Sequence, residues 1–159
     1  MQHANGRHCV RLTGIWDSPC IVFRMHNPSG EKDRLNLLSN QIIGAALRVH
    51  EELGSGLLES AYEACLAFEI VTLGLNVERQ KPLPLVYRGH RVDCGYRLDM
   101  LVNDSLVVEV KAIEQLARVH TAQLRSHLKL SEKKLGLLIN FNVHRLRDCI
   151  KRVVNGFPE

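Results

Sequence analysis

Asp99 and, ten positions on, the triplet Glu109-Val110-Lys111 bring two carboxylates and an amine into one short stretch of chain. Two neighbouring carboxylates repel unless a cation lies between them, and a hard divalent ion with oxygen ligands fills that place well. Such an ion lowers the pKa of a bound water and screens charge developing on a phosphate. A lysine alongside orients the water or stabilises the transition state. Phosphoester hydrolysis is the chemistry these types suit. The competing reading is a solvated ladder of cross-strand charges, in which Asp99 and Glu109 flank Arg97 and Lys111. Such ladders are common and contribute little.

The residues around the triplet read as a β-hairpin, Tyr96–Val102 returning through Leu106–Lys111. Side chains alternate across a strand, so Glu109 and Lys111 project from one face. A loop of Asn103-Asp104-Ser105 sets Val102 against Leu106, Asp99 against Glu109 and Arg97 against Lys111. The other face then holds Leu98, Met100, Val102, Leu106, Val108 and Val110, all apolar. A two-residue turn would mix polar and apolar side chains on both faces, because a one-residue slip flips a whole strand. The expectation is one face turned to a core and one face carrying the carboxylate pair and the lysine.

The rest of the chain supplies the frame. Leu35, Leu38, Ile42, Ala46, Val49 and Leu53 trace a helical stripe, with Asn36 as N-cap and Gly54 as the stop. A second helix runs from about Leu57 to Gly74, with Leu58, Ala61, Cys65, Phe68 and Thr72 expected inward. Strands follow at 76–80 and 83–87, broken by Pro82 and closed by a turn at Arg88-Gly89-His90. Beyond the hairpin, residues 116–130 read as a helix through Leu116, Val119, Gln123, Leu124, His127 and Leu128. The continuous apolar run Leu135–Phe141 reads as a buried strand. The spacing of Leu146, Ile150 and Val153 predicts a last helix over 144–155. A strand reached through a crossover helix needs a parallel or mixed sheet, so the expected class is an α/β sandwich around a mixed sheet.

At 159 residues and 45% hydrophobic composition the chain is long enough for one real core. The expected division is an irregular extension over 1–34 and a single domain over 35–159. No apolar run approaches the ~20 residues of a membrane helix, and no basic-then-apolar leader is visible. The five cysteines, an odd number without CxxC spacing, read as reduced thiols of a cytoplasmic protein. The net charge of +4 is unevenly placed. Residues 1–110 hold 11 Lys/Arg against 13 Asp/Glu, whereas residues 111–159 hold 10 against 4. A basic half behind a carboxylate cluster suits a polyanion steered toward the site.

Asp99 and Glu109-Val110-Lys111 on a core of helix, three strands, helix and strand resemble the PD-(D/E)XK nuclease superfamily. Within it, Gly56-Leu57-Leu58-Glu59-Ser60-Ala61-Tyr62 is similar to the signature of the GxxExxY family. The likeness continues through Glu78-Arg79-Gln80, Leu83-Pro84, Asp93–Asp99 and Leu137–Phe141, and spans about 35–155. The resemblance implies a restriction-endonuclease-like three-layer sandwich, a central mixed sheet flanked by helices. It implies a Mg²⁺ or Mn²⁺ site made by Asp99, Glu109 and the Val110 carbonyl, with Lys111 at the attacking water. Glu59 is the candidate additional acid from the first core helix, although an acid near a helix start is also favoured by the dipole. Gln123 matches a glutamine that related members place beside the metal, and His127 stands where relatives often have tyrosine.

Tyr62, Arg97, Arg118, His120 and His127 are the residues expected to face substrate, with Arg125, Lys129, Lys133 and Lys134 as further cations for its backbone. The implied activity is hydrolysis of phosphodiester bonds in DNA or another nucleic acid, by a homodimer or with a protein partner. The alternative is a nuclease-fold module that binds nucleic acid or protein without useful catalysis.

Overall fold

The computed structural model describes residues 30–92 and 95–156. The helix α1 (Glu31–Leu53) and the helix α2 (Glu59–Thr72) come first. They are followed by β1 (Val77–Pro82), the short pair β2 (Leu85–Tyr87) and β3 (His90–Val92), and the hairpin β4 (Arg97–Val102) and β5 (Leu106–Lys111). The crossover helix α3 (Arg118–Leu130) leads to β6 (Leu135–Asn140), and a 3-10 turn at Leu146–Cys149 leads to β7 (Ile150–Val154). The main sheet has the order β1-β4-β5-β6-β7, while β2 and β3 form a separate two-stranded ribbon. Only β5 and β6 are parallel, joined through α3 as a parallel neighbour requires. The result is a mixed five-stranded sheet between helices, the restriction-endonuclease-like sandwich.

The β4–β5 turn follows the expected loop. Val102 pairs with Leu106, and Met100 with Val108. Asn103 and Asp104 both take positive φ, the left-handed conformation that Asn and Asp tolerate best after glycine. Asn103 Oδ1 also accepts the Asn76 N–H at 2.8 Å, tying the turn to the chain entering β1.

The sheet is buried on both faces, as a three-layer sandwich requires, and it is the hairpin's expected polar face that is reduced. One face holds Met100, Val102, Leu106, Val108 and Val110 beneath α1 and α2. On the other, Leu101, Val107 and Leu138 pack under Leu124 and Leu128 of α3. Leu98 joins this second cluster instead of lying with Met100, because the β4–β5 ladder ends at Met100 and the strands splay at Asp99. The polar face of the hairpin is thus confined to the ends around Asp99 and Glu109–Lys111.

Three further expectations are corrected. Helix α1 begins at Glu31, so Asn36 is a helix-interior residue whose Oδ1 accepts Arg152 Nη2 at 2.7 Å. Helix α2 is rotated from the expected phase: Tyr62, Glu63, Leu66, Ala67 and Ile70 are buried, whereas Leu58 is 77% and Phe68 71% exposed. Two apolar stripes run along this helix, and the bulkier buried set contains Tyr62, which stacks on Phe141 of the sheet layer at 4.5 Å. The last helix is replaced by β7, antiparallel to β6 from Leu135↔Val154 to Ile139↔Ile150. Leu146, Ile150 and Val153 match a helical period by coincidence. The exposed edge of β6 needs a strand to pair with, and Ile150-Lys151-Arg152-Val153-Val154 supplies one whose charges suit a sheet edge. Cys65 and Cys149 are free thiols, while Cys9, Cys20 and Cys94 fall outside the described residues, as does most of the stretch read as an extension.

Candidate active site

The site forms where β4 and β5 part. The Asp99 side chain reaches across the splay, and its Oδ2 accepts the Val110 N–H at 2.9 Å. On the α3 side, Glu109 is buried and both its oxygens are engaged. Its Oε1 accepts Lys111 Nζ at 3.0 Å, and its Oε2 lies 3.3 Å from His127 Nδ1. Lys111 Nζ is also 3.8 Å from Glu59 Oε2. Glu59 opens α2 and its Oε1 accepts the Ala112 N–H at 3.2 Å, so the first turn of α2 is fastened to the chain leaving β5.

The electrostatics follow from this packing. Burial, then the charge of Glu109, push the Asp99 carboxyl up from 3.8 to about 6, against the Val110 hydrogen bond and Lys111. Burial also opposes ionisation of Glu109, but the His127 hydrogen bond and the Lys111 charge outweigh it and hold its carboxyl below the usual range. Burial acts against the charge on Lys111 too, yet Glu109 and the other acids keep its ammonium protonated above its usual pKa. The cluster therefore holds one firmly ionised glutamate, one lysinium, and an aspartate whose charge is resisted. A hard divalent ion fits that donor set: its charge offsets the burial and the Glu109 repulsion that together raise Asp99. Among the described residues no three His, Cys, Asp or Glu side chains gather into a ligand cluster. An ion with two carboxylates and otherwise water and phosphate oxygens is the usual magnesium arrangement.

A cleft of about 710 Å³ opens above Glu109 and Lys111. Its walls carry Tyr96 and Arg97 on one side, and Gln123, Ser126, His127 and Lys129 of α3 on the other. Tyr96 meets the His127 ring edge-on at 6.2 Å.

Residues 36–153 match the family model of the PD-(D/E)XK nuclease superfamily. The chain belongs to that superfamily. No curated protein and no solved structure matches the chain significantly.

Within this PD-(D/E)XK domain the expected residues divide by place. Asp99, Glu109, Lys111 and Glu59 come together at the parting of β4 and β5, and Gln123, His127 and Arg97 line the cleft above Glu109 and Lys111. Tyr62 does not face the cleft. It is fully buried, its hydroxyl donating to the Gly54 carbonyl at 2.8 Å and accepting the Leu57 N–H at 3.2 Å. It holds the loop that delivers Glu59. His120 Nδ1 accepts the Ala117 N–H at 3.0 Å, so its ring closes the start of α3, and it is not among the residues that line the cleft. Arg118 and Arg125 are exposed on α3 outside the cleft lining. Lys133 bonds Asp104 at 2.9 Å and Lys134 pairs with Glu31, both at the opposite end of the sheet.

Two positioning residues escaped the sequence reading. Asn140, buried at the end of β6, clamps the segment after Lys111: its Oδ1 accepts the Ile113 N–H at 3.0 Å and its Nδ2 donates to the Ile113 carbonyl at 2.8 Å. A lone amide closing an apolar run was the available signal. Glu63, one turn beyond Glu59, is buried and accepts Arg79 Nε and Gln80 Nε2, each at 2.8 Å. Its charge adds to the forces that raise Asp99. The spacing of four was visible, but only the rotated phase of α2 made Glu63 internal.

Proposed function

We propose that this domain is a divalent-metal-dependent phosphodiesterase of nucleic acid, DNA foremost, of the GxxExxY kind. The observation that carries the reading is the pair of carboxylates Asp99 and Glu109, held where β4 and β5 part, with Glu109 and a protonated Lys111 lining a cleft whose rim is cationic. Asp99, Glu109 and the Val110 carbonyl are the groups that would hold Mg²⁺ or Mn²⁺. When bound, the ion would supply a water of lowered pKa and charge screening for the phosphate.

The chain's own residues have separable tasks. Lys111, kept cationic by Glu109, donates hydrogen bonds to an attacking water or to a phosphate oxygen and does not serve as a base. Glu59 sets the height of Lys111 and fixes Ala112, and so acts as a positioning residue. His127 orients Glu109 from α3, standing where relatives often carry tyrosine. Arg97 and Lys129 at the rim receive the backbone, and Gln123 hydrogen-bonds the phosphate or its water.

A second reading, a nuclease-fold module that binds without cutting, draws on one observation. Both oxygens of Glu109 are already engaged, by Lys111 and His127, so an ion there would share those oxygens with two cationic or donor groups that compete with it. The deciding experiment is cleavage of labelled single- and double-stranded DNA and RNA with Mg²⁺, Mn²⁺ or EDTA, alongside Lys111→Ala and Glu109→Ala. Metal-dependent cutting lost in both variants establishes the enzyme. Binding without cutting by wild type under every condition establishes the module.

A further inference from the structure

The ribbon of β2 and β3 stands outside both cores and outside the main sheet. Every residue of β3 is exposed, and Val86 and Tyr87 of β2 are each 61% exposed although apolar in character. The hairpin from Leu85 to Val92 carries Arg88, His90 and Arg91 and no acidic residue. The Arg88 guanidinium lies over the Tyr87 ring, 5.4 Å from its centroid, which stiffens the tip of the ribbon. Among the described residues no carboxylate pairs with Arg88, Arg91 or Arg97. Among the described residues these three arginines, close in sequence, contribute nothing to the fold through ion pairs.

Their placement relative to the site is specific. Leu85 at the root of the ribbon and Tyr96 and Arg97 beside it line the wall of the catalytic cleft. Arg91 and Arg97 share a second cavity of about 240 Å³ under the ribbon, contiguous with that wall through Gly95, Tyr96 and Arg97. Lys111, Arg97 and Arg91 therefore follow one another along these two contiguous cavities, and Arg88 stands at the turn of the ribbon beyond them. Each three-residue strand extends roughly 10 Å, about three 3.4 Å steps along a nucleic-acid strand.

We propose that the β2–β3 ribbon is an arm that holds the phosphate backbone of the polynucleotide leaving the cleft, with Arg88, Arg91 and Arg97 as the phosphate contacts. The proposal rests on the nucleic-acid reading above and deepens it. A two-stranded ribbon has the width of a duplex major groove, whereas exposed Tyr87 and Tyr96 also offer stacking faces to unpaired bases. The shared chemistry is the phosphodiester chain, and a comparison of duplex with single strand separates the two presentations.

The test is fluorescence anisotropy of labelled 20-mer duplex and single-stranded DNA with the full chain, in EDTA, from 50 to 200 mM KCl. Wild type is compared with Arg88→Ala/Arg91→Ala, with Arg88→Lys/Arg91→Lys, and with Lys32→Ala at the start of α1. Thermal melting confirms that each variant is folded. Loss of two duplex phosphate contacts lowers the salt slope by about 1.8, so the wild-type advantage over the alanine variant shrinks about 12-fold across this range. The lysine variant keeps most of the slope, and Lys32→Ala matches wild type. Equal affinity and equal slope for wild type and the alanine variant on both DNAs overturn the arm while leaving the nuclease reading intact. Absence of binding by wild type to either DNA overturns the nucleic-acid reading and the arm with it.

Discussion

Replacing Asp99 by asparagine removes a charge that the metal-free fold accommodates only at a cost. The Asp99 pKa rises from 3.8 to about 6 on folding, for reasons of burial and the neighbouring Glu109. A raised carboxyl pKa means that the native state holds the proton more tightly. The associated stability is fully present below about 3.8 and is lost as the pH climbs through about 6. At ~1.36 kcal/mol per pH unit the loss above pH 7 is about 3 kcal/mol, and solvent screening of this partly accessible group lowers it to about 2 kcal/mol. Asparagine keeps an oxygen for the Val110 N–H and carries no charge. At pH 8 in EDTA, Asp99→Asn should therefore melt higher than wild type by ~4–8 °C, at 2–4 °C per kcal/mol for a chain of this size. Near pH 4 the gap should close.

Magnesium should reverse the order, since an ion at 100 times its Kd stabilises wild type by about 2.7 kcal/mol and finds one carboxylate fewer in the variant. The assay is thermal melting across pH 4–8 with EDTA or Mg²⁺. A variant that melts below wild type at pH 8 in EDTA, or that gains as much from Mg²⁺, would refute the argument.

Glu109→Gln should lower stability by about 2 kcal/mol in urea titrations at pH 7, because Lys111 and His127 lose their anionic partner. The benefit of Glu109, whose pKa is held low, exists above its unfolded pKa and fades as the pH falls through the folded one, so the deficit of the variant should shrink in acid. Tyr62→Phe keeps the stack on Phe141 but strands the Gly54 carbonyl and the Leu57 N–H. It should cost about 1–3 kcal/mol by chemical denaturation. Gly136→Ala places a methyl 2.8 Å from Leu124 Cδ1, and a loss of about 1–3 kcal/mol in the melting curve is expected from overpacking α3 on β6. The phase of α2 is checked by a pair: Leu66→Ala should cost about 2–5 kcal/mol, and Phe68→Ala less than about 1 kcal/mol.

Apart from β3 (His90–Val92), which the sequence reading passed over as a turn, the order of elements through β6 was legible because each carries its own local signal. The β4–β5 register next to the turn followed from the alternation of Leu106–Lys111 and from Asn103-Asp104, but the expected pairings of Asp99 with Glu109 and Arg97 with Lys111 are absent, because the ladder stops at Met100 and Val108. Local signals also fixed Gly54 as the end of α1 and the apolar run of β6. Where two local patterns competed, the sequence could not choose between them. Either stripe of α2 is apolar, and Leu146–Val154 fits a helix as well as a strand. The choice went to whichever face found a partner: Phe141 for Tyr62, and the open edge of β6 for β7. The splay at Asp99 belongs to the same class, since it depends on how β5 sits between β4 and β6. So do the roles of Tyr62, His120 and Asn140, each set by a hydrogen bond to backbone. Sequence determined which residues carry charge and roughly where in the fold they stand, because periodicity and turn chemistry act over a few residues. Only the tertiary structure decided which of them meet, because burial and hydrogen-bond satisfaction are settled between elements far apart along the chain.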